Sequence, residues 1–251
     1  MKIYRYRDLR PNEEISTQEA LNRVYQIVLG NTHWCARPDA LNDPDEFSIG
    51  YDYTVRDSTR RLLPGILAHY HGIPPERAVM LTSNMTTATL EEISIPVVAD
   101  MVSRCREEVG LISFSFSKDD PILWGRYGGQ GDGVCIEIDV PDRAIEDGTL
   151  RAVEYVLEKI WHIDSLFESA LSDPSISFRQ MLLTKTESWR PEKEARFVSK
   201  RQNVYMTFNQ ATITEVLFGS KVSPAVVTEI KAAVNQHLPS HSIAFTLSDS
   251  A

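Results

Sequence analysis

Apolar and polar side chains alternate along Ile3-Tyr4-Arg5-Tyr6-Arg7. That period predicts a strand with Ile3, Arg5 and Arg7 on one face and Tyr4 and Tyr6 on the other. The period then lengthens. Ser16-Thr17-Gln18-Glu19 reads as a capping box, and Leu21, Val24, Tyr25 and Val28 recur at helical spacing up to a stop at Gly30. Residues 32–36 predict a short strand. Residues 37–44 predict a loop, in which Asn42 or Asp43 bonds nearby backbone amides ahead of Pro44.

Residues 54–70 carry a helical stripe of Val55, Leu62, Leu63, Ile66 and Leu67, with Pro64 as a kink. A polar stretch, 82–89, precedes a second helix with Pro96 in its first turn and Val97, Val98, Met101, Val102, Cys105 and Val109 as its buried side. From Gly110 the period returns to two: Ser113, Ser115 and Ser117 share one face, Ile112, Phe114 and Phe116 the other. Glycines 128–133 read as a turn into a strand at 134–140. A helix at 163–183, interrupted near Asp173-Pro174, comes next, then strands at 195–199 and 213–218. A helix from Ser223-Pro224 to about 238 and a strand at 243–247 end the chain. Such irregular alternation predicts the α+β class. The expected architecture is a single domain over 1–251, a mixed and strongly twisted sheet flanked by helices, with a helical insertion at approximately 54–109.

Composition narrows the picture. The formal charge of −9 disfavours a non-specific grip on a polyanion. Cys35, Cys105 and Cys135 are isolated and odd in number, which fits a reducing compartment rather than a disulfide scaffold or a structural zinc site. No apolar stretch approaches the ~18 residues of a bilayer crossing. No apolar signal core follows the opening strand. The expected place is the cytoplasm, with no membrane contact and no metal. The sequence does not give an oligomeric state.

Three stretches carry candidate chemistry. Arg5 projects a guanidinium from a sheet, a geometry suited to bidentate phosphate contact, or else to a salt bridge at a strand edge. The serine face of 113–117 either meets solvent or lines a polar cleft, because buried hydroxyls need partners. Glu192 and Glu194, read as one side of an extended segment, could divide acid–base labour; the alternative is ion pairing with Arg190 and Arg196. Arg56, Arg60 and Arg61 read as a solvated face. His69 and His71 do not face each other on a helix. Glycines 128–133 lack the strand–loop–helix order of a phosphate loop, and no G-x-S-x-G element occurs.

Several of these segments resemble the bacterial domain-of-unknown-function family 2971. They are residues 3–7, Leu41-Asn42-Asp43-Pro44, 114–117 with Leu123-Trp124-Gly125-Arg126-Tyr127, 133–139, 185–196 and 213–219. The likeness runs in order along nearly the whole chain, departs at Leu41 and Gly125-Arg126, and is slight over 45–105. More distantly, an Arg on the first strand, a Ser-x-Ser strand and a later Glu-x-Glu resemble ADP-ribosyltransferases of the Arg-Ser-Glu type.

That second resemblance implies an ADP-ribosyltransferase-like fold that uses NAD. It places Arg5 on the NAD phosphates, Ser115 in the nicotinamide pocket, Glu194 on the ribose and Glu192 toward the substrate. Arg7, Ser117, Trp124 and Tyr127 are further candidates for nucleotide contact, and Phe116 stands where the pattern has Thr. The implied function is NAD-dependent transfer to a protein or nucleic-acid acceptor, or NAD hydrolysis, in a toxin or phage-defence effector. The alternatives are a non-catalytic module binding a nucleotide or partner, and a metal-dependent phosphodiesterase built on Asp43, Asp119, Asp120 and the glutamate pair.

Overall fold

A computed structural model describes residues 1–43, 48–146, 149–172 and 181–251. Its first half runs β1 (Lys2–Asp8), α1 (Thr17–Gly30), β2 (Thr32–Cys35), β3 (Gly50–Asp52), α2 (Asp57–His71), α3 (Pro75–Ser83), α4 (Thr87–Glu108) and β4 (Gly110–Ser115). Then come α5 (Pro121–Tyr127), β5 (Gly133–Asp139), α6 (Arg143–Glu146), β6 (Leu150–Ala152), β7 (Glu154–Val156), β8 (Ile160–His162) and α7 (Ile163–Ser172). The last elements are β9 (Thr184–Thr186), β10 (Glu194–Ser199), β11 (Val204–Thr207), β12 (Thr212–Phe218), α8 (Pro224–His237) and β13 (Ala244–Leu247).

Seven strands form one mixed sheet in the order β13-β12-β5-β1-β4-β10-β6. Only β12 and β13 run parallel within it. Its two halves are well knit inside themselves: β1 pairs β5 from Lys2↔Asp139 to Asp8↔Gly133, and β10 pairs β4 from Glu194↔Ser115 to Ser199↔Gly110. Between the halves, β1 and β4 share the single pair Tyr4↔Ser115 and then part. Beyond that pair Arg5 reaches across with Nη1 to the Ser113 carbonyl, 3.0 Å away. The sheet is therefore split along its middle.

The helices cover the sheet as their stripes direct. Leu21, Val24, Ile27 and Val28 of α1, with Ile230 and Val234 of α8, bury against Ile3, Ile136, Ile138 and Val216. Each such side chain contributes on the order of 1.5–3 kcal/mol. The opposite face places Tyr4, Tyr6, Cys135 and Leu217 under Leu123 and Trp124 of α5. Helices α2, α3, α4 and α7 form a second core of their own, touching the sheet through Leu111. Starts are set by side-chain caps: Ser16 Oγ accepts from the Glu19 amide and Ser223 Oγ from that of Val226. The left-handed residue that closes α1 is Asn31, one position beyond the expected Gly30.

The middle of the chain departs from the pattern. Part of the polar stretch at 82–89 is the end of α3, and α4 starts earlier than expected because Thr86 Oγ1 accepts from the Thr89 amide. Pro96 consequently lies inside α4 rather than in its first turn. It sits on the exposed side, where water can satisfy the carbonyl that Pro leaves unbonded. The short strands β3, β6, β7, β8, β9 and β11 and the helix α3 were not expected. The calls at Pro44 and at Asp173-Pro174 lie outside the described residues. Among the described residues no helix is long and apolar enough to cross a membrane.

Candidate functional site

Where β1 and β4 part, a cavity of about 550 Å³ opens. Arg5, Ser115 and Glu194 all line it. Register puts Ser115 and Glu194 on the Tyr4 face of the sheet, since Ser115 stands opposite Tyr4 on one side and Glu194 on the other; Arg5, on the other face of β1, meets the same cavity where the sheet is split.

One end is cationic. Alternation on β1 puts Arg5 and Arg7 on the same face, and Arg23 and Gln26 of α1 border the same space. Arg5 is 8 % exposed; beside its bond to Ser113 its guanidinium lies 5.3 Å from the Phe114 ring centre. Among the described residues no carboxylate pairs with either arginine, and Nε of Arg5, Nε of Arg7 and Oε1 of Gln26 are buried without a hydrogen-bond partner. Burial, and then Arg7, pushes Arg5 well below the usual guanidinium range; burial, and then Arg23, pulls Arg7 down to about 10. Guanidinium stays protonated under all ordinary conditions, so these shifts measure the cost of holding bare charge out of water. His33, buried between Phe114 and Phe208 at 5.3 and 5.0 Å, feels the same field. Its pKa falls to about 2, first through burial and then through Arg5 and Arg7.

The other end holds the carboxylates, and these are paired. Glu194 accepts from Arg196 Nε at 2.7 Å and Nη2 at 3.1 Å, and lies 3.0 Å from Lys185 Nζ. Burial alone would raise its pKa, but Arg196 and Lys185 outweigh that and hold it at about 2, so it stays ionised. Glu192 Oε1 accepts from Arg126 at 2.9 Å and from the Tyr127 hydroxyl at 2.5 Å, and its Oε2 from Lys185 at 2.9 Å. The two glutamates do not share one face of a strand as expected. Glu192 ends a 3-10 turn, and Lys193 turns the chain through a left-handed conformation (φ 43°) before β10 begins. Lys185, placed by β9, is what draws both carboxylates together.

The remaining expected residues divide. Arg7 and Tyr127 line the cavity. Ser115 lines it too, but its Oγ donates to the Glu192 carbonyl at 2.7 Å and accepts from the Ser117 amide at 2.9 Å, so it braces the turn that carries Glu192. Ser117 and Trp124 are corrections, for neither lines the cavity. β4 ends at Ser115, and Ser117 Oγ turns to Asp120 at 3.1 Å. Trp124 is buried against Tyr6 on the α5 face of the sheet, with Nε1 on Asp119 at 2.7 Å. Asp120 caps α5 through the Ile122 amide, so Asp119 and Asp120 hold scaffold and do not join the glutamates. Glu194 does pair with Arg196, whereas Arg190 turns to Glu187.

Lys185, Arg23, Gln26, Trp34 and Tyr205 were missed. A period-two pattern marks only which face a residue takes, not which distant strand it will meet. No family model matches the chain, and no curated protein or solved structure is significantly similar to it.

Proposed function

We propose that this cleft binds NAD with its diphosphate on Arg5 and Arg7, and that Glu194 assists cleavage of the bond between nicotinamide and ribose. One observation carries the reading: two desolvated guanidiniums without acidic partners among the described residues share a cavity with a carboxylate that is ionised at neutral pH. Such guanidiniums favour a bound anion, and a diphosphate offers each a bidentate contact. As the bond breaks, its electron pair leaves with nicotinamide and positive charge grows on the ribose; a fixed carboxylate stabilises that charge more than it does the ground state. Water, or a nucleophile on a protein or nucleic-acid acceptor, then bonds to the ribose carbon and gives up a proton. The order Arg5 on β1, Ser115 on β4 and Glu194 on β10 supports an ADP-ribosyltransferase-like reading of the fold. A toxin or defence effector would act by spending NAD or by modifying its target.

A second reading, a non-catalytic nucleotide-binding module, is favoured by the saturation of both carboxylates with cations. Nicotinamide release and NAD affinity separate the two. Glu194→Gln is expected to lower turnover ~10²-fold or more with NAD affinity nearly unchanged. Glu192→Gln is expected to spare hydrolysis and reduce transfer. NAD bound but never consumed by the wild type would favour the module; NAD neither bound nor consumed would overturn both uses of the cleft for this ligand.

A further inference from the structure

Trp34 of β2 and Tyr205 of β11 face each other in register, and both line the cationic end of the cavity. Their ring centres are 5.0 Å apart and their planes meet at 64°. The two rings form an open corner, since one edge meets one face and the other broad faces are left free. Both are large for surface positions, at 37 % and 45 % exposed. The core covers the other face of the β2–β11 ribbon, where His33 and Cys35 are buried, and leaves this face to the cavity and solvent. Tyr205 and Arg7 line the same cavity.

An aromatic corner next to guanidiniums that have no carboxylate partner among the described residues suits an occupant that is planar at one end and doubly anionic beside it. We propose that the Trp34–Tyr205 corner is a nucleobase subsite, holding the purine of an ADP moiety whose diphosphate lies on Arg5, Arg7 and Arg23. Stacking on these rings tolerates any base with a π face, and Arg23, exposed on α1, adds charge at the mouth. The corner deepens the NAD reading by fixing its direction: adenine lies toward the ribbon, which leaves nicotinamide toward Glu194. The Glu194 end offers no equal corner, because the Tyr127 hydroxyl is committed to Glu192 and Trp189 is already covered by Arg126 and Lys185 at 4.7 and 4.4 Å. The subsite itself needs only ADP, so it stands apart from any chemistry at the other end.

The test is titration at one fixed salt concentration with ADP, inorganic pyrophosphate, nicotinamide mononucleotide and NAD. Wild type is compared with Trp34→Ala, Tyr205→Ala and Tyr205→Phe, each checked for folding by circular dichroism. The Ala variants are expected to weaken ADP and NAD roughly 10-fold or more, with pyrophosphate and the mononucleotide unaffected and Tyr205→Phe close to wild type. ADP, and not pyrophosphate, should also quench a tryptophan signal that Trp34→Ala removes. If Trp34→Ala cannot fold, Tyr205→Ala and the wild-type quench carry the decision. ADP affinity indifferent to both Ala variants overturns the subsite even where NAD is consumed, and leaves the function standing. Sensitive ADP binding without any NAD binding supports the subsite and sinks the NAD reading. Binding of neither ADP nor NAD overturns both.

Discussion

Replacing Glu194 by Gln removes one charge from a buried cluster, and the structure sets the size of the loss. Arg196 is fully buried, Lys185 and Glu192 nearly so, and Arg126 sits at the rim. Without Glu194, Lys185 keeps Glu192 but Arg196 loses the carboxylate on its Nε and Nη2, which moves toward the costly situation of a buried charge short of its partner. Arg196 and Lys185 hold Glu194 at about 2, well below the ordinary 4.5, which by linkage is on the order of 3 kcal/mol of folded-state stability at neutral pH. For a chain of this length that corresponds to a fall in Tm of roughly 6–12 °C.

The pH dependence carries the sign. A carboxyl whose folded pKa is depressed stabilises fully above its unfolded value of 4.5, and that stability is lost as pH falls through 4.5 toward about 2. The gap in Tm between wild type and Glu194→Gln is therefore widest at neutral pH and narrows in acid as the wild type loses its advantage. Thermal melts followed by circular dichroism at several pH values measure it. A variant that melts with the wild type at neutral pH, or a gap that stays constant into acid, would refute the electrostatic account of this cluster.

Arg7→Met removes a desolvated charge with no acidic partner, so it is expected to raise the Tm of the free protein and to abolish the stabilisation that ADP gives; a lower Tm with the ADP response intact would contradict that. Gly133→Ala would place a Cβ 2.3 Å from the Arg7 carbonyl and 2.7 Å from that of Gly128, two backbone atoms that cannot step aside. A loss of ~1–3 kcal/mol in urea unfolding is expected, and an unchanged midpoint would show that the strand shifts freely. Burial raises the Cys35 thiol to about 11 and the Cys135 thiol to about 12, and raises Cys105 as well. None of the three should react with an aromatic disulfide at mildly alkaline pH until the protein unfolds; a native thiol that reacts at once would place it at the surface.

What the sequence made legible is local. Alternation at 3–7 put Arg5 and Arg7 on one face, and caps at Ser16 and Ser223 placed α1 and α8. What it hid depends on partners far along the chain. Strands such as β6 and β9, three residues each, hold too few positions for a period to show, and they exist through pairing with β10 and β7. Lys185 sits on one of them, so the residue that ties Glu192 to Glu194 could not be found by pattern. Glu192 was misplaced because a left-handed Lys193 carries no strong mark: Gly or Asn would have signalled the turn, and Lys does not. Ser117 and Trp124 were drawn into the candidate site by sequence proximity to residues that do line it.

The charge distribution limits what the cleft can hold. Five cationic side chains, Arg5, Arg7, Arg23, Lys185 and Arg196, and two carboxylates, Glu192 and Glu194, line the cavity of a chain whose formal charge is −9. A positive concavity in a negative body focuses its field inward, so it draws small anions to the site while the outer surface repels a long polyanion. Because Lys185 and Arg196 are neutralised in place, the attraction acts at the Arg5–Arg7–Arg23 end, and screening by salt weakens it there first. A free mononucleotide or dinucleotide meets both conditions; an extended nucleic acid laid across the surface does not.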